Sequence, residues 1–253
     1  MKAVLKSLFQ SLGIEVRRAR PYVAPGTAGR PIAQIRSFLE DVKARGFQPR
    51  GIVDVGANRG EWTRLALSVF PATPMLMIEP QEEMEPHLSR MAAEIPNCHY
   101  VKAAAGREEG ELIQTIWEDL AGSSFLPEPD VGKLKTGKQR KTKVTTIDTL
   151  LSGAYTGFHP DLVKLDIQGF ELEALSGAQA TFGKTEVFIL ETSLFEFLPR
   201  QPITREAIAF MSDRGYELYD ITEYLRRPFD GALGQVDLAF VKSRGMFRAQ
   251  SSW

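Results

Sequence analysis

The chain has 253 residues, 43% hydrophobic and 25% charged, with 31 Lys and Arg against 32 Asp and Glu for a formal charge of -1. That balance belongs to an ordinary globular chain and excludes collagen-like, disulfide-scaffold and disordered architectures. The longest uninterrupted apolar run is residues 207–211, whereas a spanning helix needs about 20 residues, and near-neutral charge gives no global pull towards nucleic acid.

The lone cysteine, Cys98, has no internal disulfide partner, and His87, His99 and His159 lack metal-ligand spacing. A reducing, cytoplasmic setting is expected. Residues 1–20 place Val4, Leu5, Leu8, Phe9 and Leu12 at helical spacing, with Lys2, Lys6, Arg17, Arg18 and Arg20 against Glu15 alone. This predicts a basic amphipathic appendage over residues 1–30, retained on the mature chain. It would pack on the domain, on a second subunit of a homo-oligomer, or on a membrane surface beside a lipid-linked substrate.

A helical stripe (Ile32, Ile35, Phe38, Leu39, Val42) stops at Gly46. Apolar runs at 52–55, 75–78, 99–101, 162–167 and 187–190 then alternate with amphipathic stretches at 61–70, 82–95, 171–182 and 205–214. Strands apolar throughout are buried on both faces, as in a parallel sheet covered by helices. Runs at 216–219 and 236–241 have no helix between them and could close the sheet as an antiparallel pair. Residues 118–143 break the rhythm and end in a run of six basic residues (Lys133, Lys135, Lys138, Arg140, Lys141, Lys143) with no acid among them. A connection this long is either a functional loop over the active site, meeting an anionic group, or a solvated mobile loop.

The strongest local signal is Val53-Asp54-Val55-Gly56-Ala57-Asn58-Arg59-Gly60, a strand entering a glycine-rich turn that opens a helix, followed by Glu79 at the end of the next strand. An acid there can accept hydrogen bonds from ribose hydroxyls. The turn has only two of the three glycines of a dinucleotide fingerprint, and a triphosphate loop is absent. An acid before the turn suits a ligand bearing an ammonium and a sulfonium better than one bearing a pyrophosphate. The turn resembles motif I of class I S-adenosylmethionine-dependent methyltransferases.

Further blocks narrow the resemblance. Thr145-Thr146-Ile147-Asp148-Thr149-Leu150, Asp161-Leu162-Val163-Lys164-Leu165-Asp166-Ile167-Gln168-Gly169-Phe170-Glu171 and Leu175-Ser176-Gly177-Ala178 resemble the signature of the FkbM family of methyltransferases. With Glu79-Pro80, Ala103-Ala104-Ala105-Gly106 and Ile189-Leu190-Glu191, the likeness spans residues 51–191. The family pattern carries Glu where this chain has Gln168. The resemblance implies a Rossmann-like α/β fold: a seven-stranded, mostly parallel sheet with one antiparallel strand and helices on both faces. The methyltransferase domain would run over residues 31–245, with a tail at 246–253. It further implies methyl transfer from S-adenosylmethionine to a hydroxyl of a sugar, a glycan or a related small natural product.

Lys164 and Asp166 project to one face of their strand, and Glu191 ends the neighbouring one. Asp166 is expected near the donor sulfonium and the acceptor hydroxyl, held by Lys164. Glu191 would serve as a base or as part of a divalent-ion site, with His159 as an alternative base. Asp54, Gly56, Ala57, Asn58, Gly60, Glu79, Ala104, Ser124 and Asp166 are the expected cofactor-binding residues, with Ser123 beside them. Two other readings compete: an NAD(P)-dependent oxidoreductase, and a noncatalytic nucleoside-binding protein.

Overall fold

The computed structural model describes residues 31–250. The predicted amphipathic appendage and its membrane or subunit contact lie outside the described residues. In chain order the elements are α1 (Ile35–Ala44), β1 (Ile52–Val55), α2 (Glu61–Val69), β2 (Met75–Ile78), α3 (Glu85–Glu94), β3 (Cys98–Val101), β4 (Ala104–Ala105) and β5 (Gly110–Thr115). They continue with α4 (Val131–Lys135), β6 (Gln139–Thr145), α5 (Ile147–Ser152), β7 (Leu162–Leu165), α6 (Glu171–Ser176), β8 (Val187–Ser193), α7 (Thr204–Ser212), β9 (Tyr216–Arg226) and β10 (Leu233–Lys242).

Seven strands form one sheet in the order β3-β2-β1-β7-β8-β10-β9. β1, β2, β3, β7 and β8 pair in parallel, and β10 runs antiparallel to both β8 and β9. This is the expected architecture, with β10 as the one reversed strand. Alternate residues of each central strand enter different layers. Ile52, Met75, Met77 and Ile189 meet Phe38, Leu39, Ala66, Leu88 and Met91 of α1, α2 and α3. Val53, Leu76, Val163, Phe188 and Leu190 meet Ile147, Leu150, Ala174, Leu175 and Met211 of α5, α6 and α7. Covering on both faces is why these strands read as unbroken apolar runs.

The stretch at 171–182 is interrupted. α6 stops at Ser176 and a 3-10 turn follows at Gln179–Thr181. Gly177 lies between them against another backbone, for a Cβ there would sit 2.1 Å from the Gly106 carbonyl oxygen. The connection at 118–143 is also not a free loop. It contains α4 and the start of β6, which pairs with β4 and β5 in a small second sheet. Beyond β10, Phe247 packs its ring on Phe47 and Tyr219, 5.8 and 5.6 Å between centroids.

Tyr216 joins the far end of the sheet to its neighbours. It is fully buried, its hydroxyl donates to the Thr185 carbonyl (2.7 Å) and accepts from the Gly183 amide (3.0 Å), and its ring stands edge-on to Phe188. Tyr216→Phe leaves both backbone groups without that partner, so unfolding in denaturant is expected to show a loss of about 1–3 kcal/mol with an unchanged denaturant slope.

Candidate active site

The site begins where β1 ends. Gly56 turns the chain at φ +77°, and a Cβ there would lie 1.9 Å from the Asp166 carbonyl oxygen. Only glycine lets this turn lie against the end of β7. Asn58 follows at φ +47°, and its amide donates to Glu79 Oε2 at 3.0 Å, while the Gln81 amide donates to Oε1 at 2.9 Å. Glu79 is 3% exposed. Burial raises its pKa, opposed by those two amides and by Lys164.

Behind the turn lies an ionic layer. Lys164 is buried, with its Nζ 3.5 Å from Asp54 Oδ1 and 3.2 Å from Asp166 Oδ2. Asp54 Oδ2 accepts from the Thr63 hydroxyl of α2 at 2.6 Å. Burial alone would discharge the lysine, but Asp166 and Asp54 outweigh it and raise its pKa above that of an ordinary lysine.

Sheet register sets the acids in a row. In β10, Asp237 stands opposite Glu191 of β8 and Glu223 of β9. Leu165 pairs with Leu190, so Asp166, the next residue, falls beside Glu191. The Gln168 amide nitrogen donates to Asp166 Oδ1 (3.1 Å) and Glu191 Oε2 (2.8 Å). Burial, then Asp166, Glu171 and Asp237, push Glu191 well above the ordinary carboxylate range. Burial and then Asp166 push Asp237 up to about 7. Glu171, which accepts from the Ile167 and Gly169 amides, is likewise raised by burial to about 7.

Two adjoining cavities open on these residues. The first, about 390 Å³, is lined by Glu79, Ala104, Ala105, Asp166, Gln168 and Glu191 among others. The second, about 460 Å³, shares Gly56, Asn58 and Asp166 with it and adds Ala57, Lys164, Glu223 and Asp237. Of the expected site residues, Gly56, Ala57, Asn58, Glu79, Ala104, Lys164, Asp166 and Glu191 all line one or both.

The other expected residues lie elsewhere. Asp54 has no exposed surface and lines neither cavity, because the two-residue period turns it into the helix-covered layer, where it holds Lys164 and Thr63. Ser124 is fully buried, and its hydroxyl donates to the Gln168 carbonyl at 2.8 Å, so it supports the turn. Its neighbour Ser123 lines the first cavity. Gly60 shapes the start of α2 at φ +78° and lines neither cavity. His159 precedes β7 and lines a separate cavity with Arg50 and Asp161. It lies at the opposite end of β7 from Asp166.

The basic run contributes nothing to either cavity. Arg140 pairs with Glu82 and Glu83, and Lys141 with Glu111. The earlier part of that connection does reach the site, through Asp119, Gly122 and Phe125. Among the described residues no group of three or more His, Cys, Asp or Glu is placed to hold a metal ion. Where a divalent ion was expected, the Gln168 amide stands between Asp166 and Glu191. Asp237, Glu223 and Glu171 were not anticipated. Only the strand register brings the first two to the site.

A family model described as Methyltransferase FkbM domain matches residues 54–218. The chain belongs to this family of methyltransferases. Methyltransferase sdnD of Sordaria araneosa is 26% identical over 194 residues, 66% of this chain and 73% of that protein. Two solved structures are also similar. Precorrin-6y C5,15-methyltransferase from Geobacter metallireducens GS-15 has a TM-score of 0.45 at 14% identity, over 85% of this chain and 94% of the other. Magnesium protoporphyrin IX methyltransferase from Synechocystis PCC 6803 with bound SAM has 0.44 at 15% identity, over 96% and 97%. Membership sets aside the oxidoreductase and noncatalytic readings. The residues of this FkbM methyltransferase fit S-adenosylmethionine, for the site pairs one buried lysine with a surplus of carboxylates and thereby favours a cationic ligand.

Two outcomes are expected. Glu79→Ala weakens donor binding more than tenfold by calorimetry, because a buried anionic acceptor is lost; unchanged affinity would remove Glu79 from the donor site. The second concerns pH. Glu171 and Asp237 hold protons in the folded, ligand-free protein that the unfolded chain releases above about pH 4. Stability contributed by these groups is full below that pH and is lost as pH rises to about 7. Chemical unfolding across this window is expected to show the decline, and Asp237→Asn to flatten it by about 1 kcal/mol or more.

Proposed function

We propose that this methyltransferase transfers its methyl group to a hydroxyl oxygen of a sugar, a glycan or a related small natural product. The observation that carries the reading is the unlike fixation of two adjacent carboxylates. Asp166 has both oxygens engaged, Oδ1 by Gln168 and Oδ2 by Lys164. Glu191 has one oxygen held by Gln168 and a proton affinity raised by burial and by neighbouring acids. Environments that separate two carboxyl groups in this way divide their roles. Asp166 acts as a fixed negative charge, and Glu191 accepts the proton of the acceptor hydroxyl. A neutral amine nitrogen, which already carries a nucleophilic lone pair, would have less need of such a base.

When bound, S-adenosylmethionine supplies a methyl group on a sulfonium, a carbon already activated for in-line displacement. Glu79 keeps lone pairs beyond those its two backbone amides use, and these accept from ribose hydroxyls. Ala104 and Ala105 give a small apolar wall for the adenine. The turn at Gly56, Ala57 and Asn58 holds the amino-acid end where the two cavities meet. Lys164 keeps Asp166 in place. Most of the catalytic effect then comes from alignment, with the proton transfer added by Glu191.

The test is a set of hydroxylated acceptors, both sugars and polyketide-type alcohols, incubated with donor and read by mass spectrometry and NMR for the atom methylated. An ether methyl is expected, and methyl found only on nitrogen or carbon would sink the reading. Glu191→Gln is expected to lower kcat by about 100-fold or more while donor affinity changes little. The acid limb of the wild-type rate profile should lie above the ordinary carboxylate range, since Glu191 must lose its proton to act.

A further inference from the structure

We propose that Gln168 is a positioning residue, its neutral amide holding Asp166 and Glu191 side by side at the reacting hydroxyl; the proposal rests on the roles given to those two acids above. One nitrogen spends its two hydrogens on two different carboxylates, at 3.1 and 2.8 Å. With both acids ionised, the reverse amide orientation would set the Gln168 carbonyl oxygen against two anions, so the amide nitrogen faces them. A carboxylate of the same shape would only accept, and would add a third negative charge.

The backbone is bent to aim this side chain. Gln168 sits at φ +56°, a region that a residue with a β-carbon enters at a cost of about 1–2 kcal/mol. The bend is held from several sides. The Ser124 hydroxyl donates to the Gln168 carbonyl, and Glu171 accepts from the amides of Ile167 and Gly169. The side chain is not part of either apolar core and lines the first cavity. Asp166 beyond β7 and Glu191 from β8 line that cavity with it, as do Glu79 and Asp119, while Glu171 of α6 and Asp237 of β10 act on Glu191 and Lys164 pairs with Asp166. Gln168 is the neutral donor that bridges Asp166 and Glu191.

Two variants test this in the full chain. Gln168→Gly relieves the bend and removes the amide, while Gln168→Glu keeps the size and replaces donor by acceptor. Carboxyl-carbon NMR, with Glu191 assigned through Glu191→Gln, reads the pair without donor or acceptor present. In both variants the Glu191 titration is expected to move to higher pH, by about one unit or more, while the Tm of Gln168→Gly stays level or rises. With an acceptor in hand, kcat of Gln168→Glu falls about tenfold or more at neutral pH and recovers in part on acidification, donor affinity changing little. Wild-type titration curves in both variants would overturn the proposal. So would a Gln168→Gly protein whose Tm drops in step with its other changes, which would mark the residue as structural. If no hydroxyl is methylated by any form, the reading of the reaction fails, and the titration still decides the clamp.

Discussion

One buried cation organises this molecule. Lys164 lies buried in the helix-covered layer of the sheet, between Asp54 of β1 and Asp166 beyond β7. An ion pair at such depth contributes little net stability, since desolvation consumes most of the attraction, but removing one partner strands the other. Its value is positional. Lys164 ties adjacent strand ends together, Asp54 extends the tie to Thr63 of α2, and Asp166 carries it out to the cavity. The turn at Gly56 can then press against Asp166 without drifting. Fold and site share this one contact, and the residues that hold the Gly56 turn are those that fix Asp166.

The row of carboxylates beyond it follows a different logic. Directly opposed residues in a sheet have β-carbons about 5 Å apart, and two full charges there repel by about 3 kcal/mol at an effective dielectric of 20. Asp166, Glu191, Asp237 and Glu223 occupy successive strands, with one lysine behind them. The ligand-free protein answers by raising the proton affinity of Glu191 and Asp237. A cationic ligand can take over that compensation, so the same electrostatic tension that weakens the empty site at neutral pH favours binding of a sulfonium or ammonium group.

Much of this was legible in the residues. Unbroken apolar runs announced a covered parallel sheet, and the interval from Gly60 to Glu79 pointed to the carboxyl edge of the sheet, where Glu79 lines the first cavity. What escaped depended on pairing between distant segments. Asp237 and Glu223 reach the site only through the β8-β10 and β10-β9 register, which no local pattern carries. The basic run concealed an alternating strand, because Lys141 and Lys143 face solvent while Thr142 and Val144 turn inward. Ser124 and Ser123 show the same sensitivity, one residue separating a buried brace from a cavity wall. Asp54 reads as a ligand by its place in the motif, yet the strand period directs it inward.

Places where local rules are broken coincide with the proposed chemistry. Gln168 adopts a backbone conformation that suits glycine, Glu171 is an acid buried to hold two amides, and like charges sit opposite one another in a sheet. Each is unfavourable alone, and the surrounding hydrophobic layers supply the stability that lets it persist. The apolar part of the sheet, by contrast, obeys every packing rule up to the carboxyl ends of its strands. Such a division is expected where a site needs charge held in place before the ligand arrives, for a relaxed row of acids would solvate itself or separate. The cost of this preorganisation is met by the sheet, and its return is a site whose charges need little rearrangement when a methyl group is to be moved.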